Sequence, residues 1–205
     1  MTLNISRAYI SMKETFLDSI GKNYMEALAD LRRVRWLILA AAIIFIAGIA
    51  IGARHPSWSE GSLSALKQFA RQLSRENLFA LVLAIFLRNS LVASVCVVSG
   101  PLLGVLPLLI SVLNGLILGS ALSYVDEAHR VTALLLLLPH GIFELPALFT
   151  ACGIGLWQGI TVFQKNATPL RERRSRSLRI LFIVVIPLLL IAAIIEGTNI
   201  YTLRG

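Results

Sequence analysis

A histidine and a glutamate lie inside a stretch that is otherwise apolar enough to cross a lipid bilayer. The stretch covers residues 134–159, and it places His140 and Glu144 between Pro139 and Pro146. An ionisable side chain at such a depth is costly and normally faces the interior of a helix bundle or a water-filled cavity. This segment therefore predicts membrane helices packed around a polar group.

The spacing within this stretch indicates which face carries the polar pair. We expect Pro139 to end one helix and open the next, so that His140 and Glu144, four residues apart, share a face. Pro146 removes one backbone hydrogen bond and predicts a kink beside Glu144; Gly141 belongs to the same kink and packing set. The face continues through small residues that let a second helix approach closely. These are Ala147, Ala151, Gly155 and Gly159.

Composition places the chain among polytopic membrane proteins. Hydrophobic residues make up 57% of the 205 residues and charged residues 15%, and the apolar runs are long enough to span a bilayer. The formal net charge is +8, but the basic residues cluster beside the apolar runs, as topology signals and lipid contacts do. We therefore expect membrane lipids as partners and no nucleic acid. Cys96 and Cys152 fall in predicted spans and are interpreted as small buried apolar residues.

Residues 1–33 are predicted to form a cytoplasmic amphipathic helix, and a transmembrane domain is predicted for residues 34–205. Apolar residues recur at helical spacing between charged residues in the first segment, so its apolar stripe is expected on the membrane or on a partner. Arg32, Arg33 and Arg35 precede the first apolar run. Because basic residues favour the cytoplasmic side, we predict a cytoplasmic amino terminus.

Five spans are predicted from the apolar runs. They cover about residues 34–53, 78–98, 102–124, 131–163 and 178–196. The fourth is too long for one straight span and is predicted as one crossing broken at Pro139; two crossings are the alternative. One crossing puts the basic residues between Lys165 and Arg176 in the cytoplasm, as the positive-inside rule prefers, and the carboxyl terminus outside. A short surface helix is predicted between the first two spans, and residues 126–130 are predicted as an external loop.

Six strongly polar side chains are predicted within or at the edges of the spans. They are Arg88, Asn89, Asn114, His140, Glu144 and Glu196. Arg88 lies about ten residues below the outer edge, roughly 15 Å at the helical rise, a depth that allows a contact with Glu144. We expect this cluster to hold the fourth segment against spans two and three. Gly115 and Gly119 form a second small-residue seam in span three.

The nine residues from Pro139 to Ala147, PHGIFELPA, resemble the signature of the stage II sporulation protein M family of integral membrane proteins. Asn89, the pair Asn114-Gly115 and Glu196 agree with the same family. The resemblance implies an all-α polytopic helical bundle. The family is named for a sporulation component that works with cell-wall hydrolases during engulfment, although many prokaryotic relatives never sporulate. A wall-binding or hydrolytic part is expected in another protein, so the resemblance implies the fold more closely than the role.

We expect a membrane scaffold of this type, in the cell membrane, that assembles or localises partner proteins. The alternative is a transporter, channel or lipid-handling protein that uses the polar cluster around Glu144. The small-residue seams serve either internal packing or self-association, and a homo-oligomer remains open.

An enzyme is not expected, and no catalytic residue is assigned. A catalytic zinc normally takes three protein ligands, whereas His140 and Glu144 supply two, and His55 and His129 fall in distant predicted loops. The spans show no serine with an evident base and no paired acids on adjacent turns. We therefore expect neither a metal nor a cofactor.

Overall fold

The computed structural model describes residues 2–73, 76–102, 104–164 and 168–202, and this part of the chain is helical without a strand. Short 3-10 turns follow α1 and α5, and a π-helical turn at Leu181–Val185 joins the last two helices. The α-helices are α1 (Thr2–Arg54), α2 (Glu60–Leu73), α3 (Leu78–Ser99), α4 (Val105–Ser123), α5 (Glu127–Ile160), α6 (Leu170–Ile180) and α7 (Ile186–Thr202). The predicted all-α class is confirmed.

Within the described residues, five helical stretches are long and apolar enough to cross a membrane. They are Gly21–Arg54, Leu78–Ser99, Val105–Ser123, Gly141–Phe163 and Leu170–Thr202. Large apolar side chains such as Ile43 and Leu91 are exposed on the outside of the bundle, where lipid would cover them. The chain is therefore a multi-pass membrane protein, as the sequence predicts.

The helices run alternately up and down. Pairs of contacts show the direction of the helices. Ala41 and Gly52 of α1 meet Ser111 and Ser120 of α4 in that order, so α1 is parallel to α4. Cys96 and the adjoining Gly100 meet Cys152 and Gln158 of α5 in that order, so α3 is parallel to α5. One end of the bundle carries Arg32, Arg33 and α6, and is called the basic end below. The other end carries the start of α3 and the end of α7.

The helix at the centre of the bundle is α5. In the apolar segment of its candidate span, 67% of the residues are buried, against 22% to 33% in the corresponding segments of the other four spans. Its small residues explain this position, because a Cβ at Gly155 would lie 2.4 Å from the carbonyl oxygen of Cys96 on α3, and one at Gly153 would lie 2.9 Å from the backbone nitrogen of Ile38 on α1. Two neighbouring backbones thus touch α5 directly.

The closest approach of two backbones is between α1 and α4. A Cβ at Gly115 would lie 2.1 Å from the carbonyl oxygen of Phe45, and one at Gly119 would lie 2.1 Å from that of Ile49. The Ser111 hydroxyl also donates a hydrogen bond to a carbonyl oxygen of α1, at 2.7 Å. The small-residue seam of the third predicted span therefore lies against the first.

The fourth segment differs from the expected broken crossing. The helix α5 is continuous over 34 residues, with Pro139 and Pro146 inside it, so there is neither a break at Pro139 nor a second crossing. Each proline removes one backbone hydrogen bond, but both residues lie on the exposed face of α5, where their rings displace no neighbouring helix. The expected loop at residues 126–130 is also corrected, because Glu127 to Arg130 form the first turn of α5.

The last predicted span is extended at both ends. Helical structure runs without interruption from Leu170 to Thr202, through α6, the π-helical turn and α7. Pro187 explains the π-helical turn: it lacks an N–H and its ring crowds the carbonyl of Ile183, which lies inside that turn. The wider turn accommodates the proline without ending the helix.

The first helix continues past the predicted boundary at residues 33 and 34 without interruption. It contains 53 residues and is therefore roughly 80 Å long at the α-helical rise. A bilayer core is about 30 Å thick. The predicted amphipathic helix thus forms the amino-terminal part of the same rod as the first span, and the rod is much longer than a bilayer is thick.

We predict that Gly119→Ala destabilises the protein by about 1–3 kcal/mol, because the new methyl group would overlap the backbone of α1 and force the two helices apart. Thermal unfolding of the purified protein in mild detergent measures the effect. Gly141→Ala is the matched control: a Cβ there would meet no heavy atom of the described residues within 4 Å. Equal unfolding temperatures for both variants would contradict the close contact between α4 and α1 at Gly119.

Candidate functional site

A small polar cavity lies between α3, α4, α5 and α7. Its volume is about 40 Å³. Apolar side chains of α3, α5 and α7, among them Leu148 and Leu189, close it on one side. Its polar walls are Arg88, Asn89, Asn114 and Glu144. Four of the six polar side chains that the sequence singled out therefore line one space.

The cavity lies at half the height of the bundle. Arg88, Asn114 and Glu144 are each within one residue of the midpoint of α3, α4 and α5 respectively. At that depth no bulk water compensates a charge, so the cost of ionised groups has to be met by protein groups or by enclosed water. One water needs roughly 10–15 Å³ of such space, so this cavity has room for a few molecules.

Arg88 connects the cavity to one further helix, α2, and also acts on a second residue of α7. Its guanidinium carbon lies 5.7 Å from the ring centroid of Phe69 on α2, within the range of a cation–π interaction. Its positive charge also acts on the carboxylate of Glu196 on α7. Arg88 thus links the surface helix α2 to the membrane helices, and the residue as a whole is exposed.

The remaining polar residues have different surroundings. Glu144 is half-buried and takes part in a polar or electrostatic interaction. Asn114 donates a hydrogen bond of 2.8 Å to the carbonyl oxygen of Ile110 in its own helix. Glu196 is half-buried and is not among the residues that line the cavity. The side chain of His140 lies outside the described residues.

The residues of the kink and packing set divide between two faces of α5. Ala147, Ala151, Gly155 and Gly159 are buried against neighbouring helices. Pro139 and Pro146 are exposed on the outer face. Gly141 differs from the expected packing role, because a Cβ there would meet none of the described atoms within 4 Å.

Sequence reasoning missed a buried polar group at the basic end. Gln158, 1% exposed, donates a hydrogen bond of 2.7 Å to the carbonyl oxygen of Val97. Arg173, 7% exposed, donates to the carbonyl oxygen of Gln158 at 2.9 Å and to the hydroxyl of Thr161. From the sequence, Arg173 is predicted only as one of the basic residues that mark the cytoplasmic side. The sequence does contain a signal for this group. Gln158 lies inside an apolar run, and Arg173 follows the end of that run. Cations are favoured at the carboxyl ends of helices, so a contact between the two was predictable.

A second group that the sequence did not predict joins α1 to α6. Arg179 pairs with Glu26 and with Asp30, the latter at 2.8 Å, while Arg176 pairs with Asp30 at 3.2 Å and with Glu172 at 2.5 Å. The partners on α1 and α6 are about 150 residues apart in the chain. No local pattern indicates such a pairing. These ion pairs fix the basic end of α1 against α6.

Three other groups of side chains bear on metal and redox chemistry. Cys96 and Cys152 are buried free thiols whose sulfur atoms lie 3.6 Å apart. His55 is exposed and stacks on Trp58, and His129 is exposed in the first turn of α5. Among the described side chains, no three of the His, Cys, Asp or Glu type are gathered into a metal-binding group.

A bundle of apolar helices with five candidate spans and a polar cavity at half height defines a polytopic integral membrane protein. Residues 40–199 match the family model described as Stage II sporulation protein M. The chain belongs to this family, and the matched range contains every residue that lines the cavity. Neither a curated protein nor a solved structure matches the chain.

We predict that Arg88 and Glu144 are energetically coupled. Arg88→Gln and Glu144→Gln should each lower the free energy of unfolding, because each leaves an opposite charge at half height less compensated. The free energy of unfolding that the double variant loses should be smaller than the sum of the two single losses, by about 0.5–3 kcal/mol. Detergent titration in mixed micelles measures all four forms.

The control for this cycle is Ser90→Ala on the same helix. The Ser90 hydroxyl is buried and has no hydrogen-bond partner within the described part of the chain, so its removal should be neutral. Additive effects of the two charge substitutions, within about 0.3–0.5 kcal/mol, would exclude the coupling.

Proposed function

We propose that this protein is a non-catalytic membrane scaffold that assembles or localises partner proteins. The observation that carries the proposal is the amino-terminal arm of α1, defined as residues 2–25. This arm precedes Glu26, where the ion pairs between α1 and α6 begin. Its 24 residues correspond to roughly 36 Å of helix.

The arm offers an apolar surface to a partner. Tyr24 and Met25 are 51% and 68% exposed. They lie beyond the charged residues Glu26 and Asp30, on the side away from the apolar spans. Large apolar side chains exposed to water are typical of protein–protein contact sites, in which aromatic residues and Met are enriched.

The cavity volume supports a scaffold over the alternative of a transporter or channel. Sites that hold small molecules commonly have volumes of roughly 300–1,000 Å³. The polar cavity, at about 40 Å³, accommodates water rather than a solute of that size. The polar cluster is therefore better suited to hold α3, α4, α5 and α7 together than to line a pathway.

Charge supports an orientation for the scaffold. Arg32, Arg33 and Arg35 of α1 lie at the same end of the bundle as the arginines of α6. Because basic residues favour the cytoplasmic face, we propose that this end and the arm are cytoplasmic. With five crossings, the carboxyl terminus is then outside.

The test is affinity purification of the full chain from native membranes in mild detergent, with quantitative mass spectrometry of the proteins that copurify. We predict that the double substitution Tyr24→Glu and Met25→Glu reduces the amount of the specific partners that copurify by at least tenfold, because charges replace the apolar contact. Asn23→Glu, at an exposed polar position of the same turn, should retain them.

Monodisperse size-exclusion profiles of all variants show that the bundle itself is intact. A scaffold that docks through the arm is contradicted if the two substitutions and the control retain the same proteins in the same amounts. It is equally contradicted if the control loses the partners as completely as the double variant does.

A further inference from the structure

A charged cleft of about 410 Å³ lies between α1 and α6 at the basic end. Each helix contributes one face to it. On α1 the cleft is bounded by Glu26, Asp30 and Arg33, and on α6 by Glu172, Ser175, Arg176 and Arg179. Its volume falls within the range of ligand-binding sites, unlike that of the cavity at half height.

The carboxylates of the cleft are neutralised inside the protein. Asp30 accepts hydrogen bonds from Arg176 and Arg179, Glu26 from Arg179, and Glu172 from Arg176. These pairs satisfy the acids and occupy two of the three arginines. The acids therefore brace the two helices, and an anion entering the cleft does not meet an uncompensated carboxylate.

Two hydrogen-bond donors in the cleft have no partner among the residues that the structure describes. Within the described residues, neither Arg33 nor Ser175 makes an ion pair or a hydrogen bond, and both side chains are exposed. A guanidinium presents several N–H groups in a planar fork that fits the oxygens of a phosphate, and a hydroxyl adds one more donor. The donors come from opposite walls, so an anion between them would contact both helices.

The position of Trp36 indicates where the cleft lies relative to the membrane surface. Trp36 is one helical turn from Arg33, is 67% exposed, and lies under the guanidinium of Arg35 at 5.2 Å. Tryptophan side chains favour the boundary between membrane and water. The apolar part of α1 begins immediately after this turn, so Arg33 lies where a phosphodiester of the bilayer would lie.

We propose that the cleft between α1 and α6 binds the headgroup of an anionic phospholipid of the phosphatidylglycerol type. Arg33 and Ser175 donate hydrogen bonds to the phosphodiester oxygens, and the exposed arginines Arg171 and Arg174 of α6 favour a lipid with net negative charge. The headgroup hydroxyls of such a lipid donate to the free lone pairs of Glu172. This site does not depend on the proposed scaffold function.

The test is lipid binding by the purified full chain, measured by native mass spectrometry and by thermal unfolding in detergent micelles that contain phosphatidylglycerol or phosphatidylcholine. Phosphatidylglycerol should bind and raise the unfolding temperature more than phosphatidylcholine does. Arg33→Gln should weaken the affinity for phosphatidylglycerol at least tenfold, which corresponds to about 1.4 kcal/mol, and Ser175→Ala should weaken it by a smaller factor.

The matched control is Arg32→Gln, which removes the same charge from the neighbouring exposed residue outside the cleft. It should change the affinity by less than twofold. Arg33→Lys keeps the charge but loses the planar fork, so it should restore part of the binding. Because Arg33 has no partner among the described residues, its substitution should leave the unfolding temperature without lipid unchanged.

Three results would overturn the proposal. Equal losses for Arg32→Gln and Arg33→Gln would mean a diffuse attraction of lipid to basic residues. Equal binding of phosphatidylglycerol and phosphatidylcholine would exclude selection of an anionic headgroup. The third result is that millimolar inorganic phosphate raises the unfolding temperature as much as phosphatidylglycerol does, and that Arg33→Gln removes this rise too. The cleft would then be assigned to a soluble phosphate compound.

Discussion

Direct contact between helix backbones is the constraint on which the rest of the structure depends. The bilayer supplies no hydrophobic force that drives apolar helices together, so close packing and hydrogen bonds between helices have to do so. Here Gly115 and Gly119 of α4 meet the carbonyl oxygens of α1, and Gly155 of α5 meets that of Cys96 on α3. The contacts of Gly153 and Gly155 determine where α5 lies, and its central position in turn determines where Glu144 lies.

The polar cavity follows from that packing. Arg88, Asn114 and Glu144 reach one small space because α3, α4 and α5 are centred at the same height around it. The same helices leave a much larger charged cleft at the basic end, where α1 and α6 are braced by ion pairs and not by glycines. The two sites therefore have different physical characters: the first is small and lies at half height, and the second is large, charged and lies at the basic end.

Features that depend on one segment were predictable from the sequence. The apolar runs indicated five crossings, and the small residues of α4 and α5 indicated close helix contacts. The break at Pro139 was not borne out: helix propensity treats proline as a helix end, whereas α5 passes through Pro139, which lies on its exposed face. The pairing of Arg176 and Arg179 with α1 was not predicted, since partners about 150 residues apart leave no local pattern.

The sequence by itself determined that this chain is a helical membrane protein of the stage II sporulation protein M family, with ionisable groups inside its spans. Hydropathy and motif spacing are properties of neighbouring residues, so they can be read without coordinates. Only the tertiary structure decided which polar residues share a cavity, that Arg173 is buried, and that Arg33 faces a cleft while Arg32 does not. Those facts depend on how helices rotate and approach one another, and adjacent arginines are indistinguishable until a second helix packs against one side of the first.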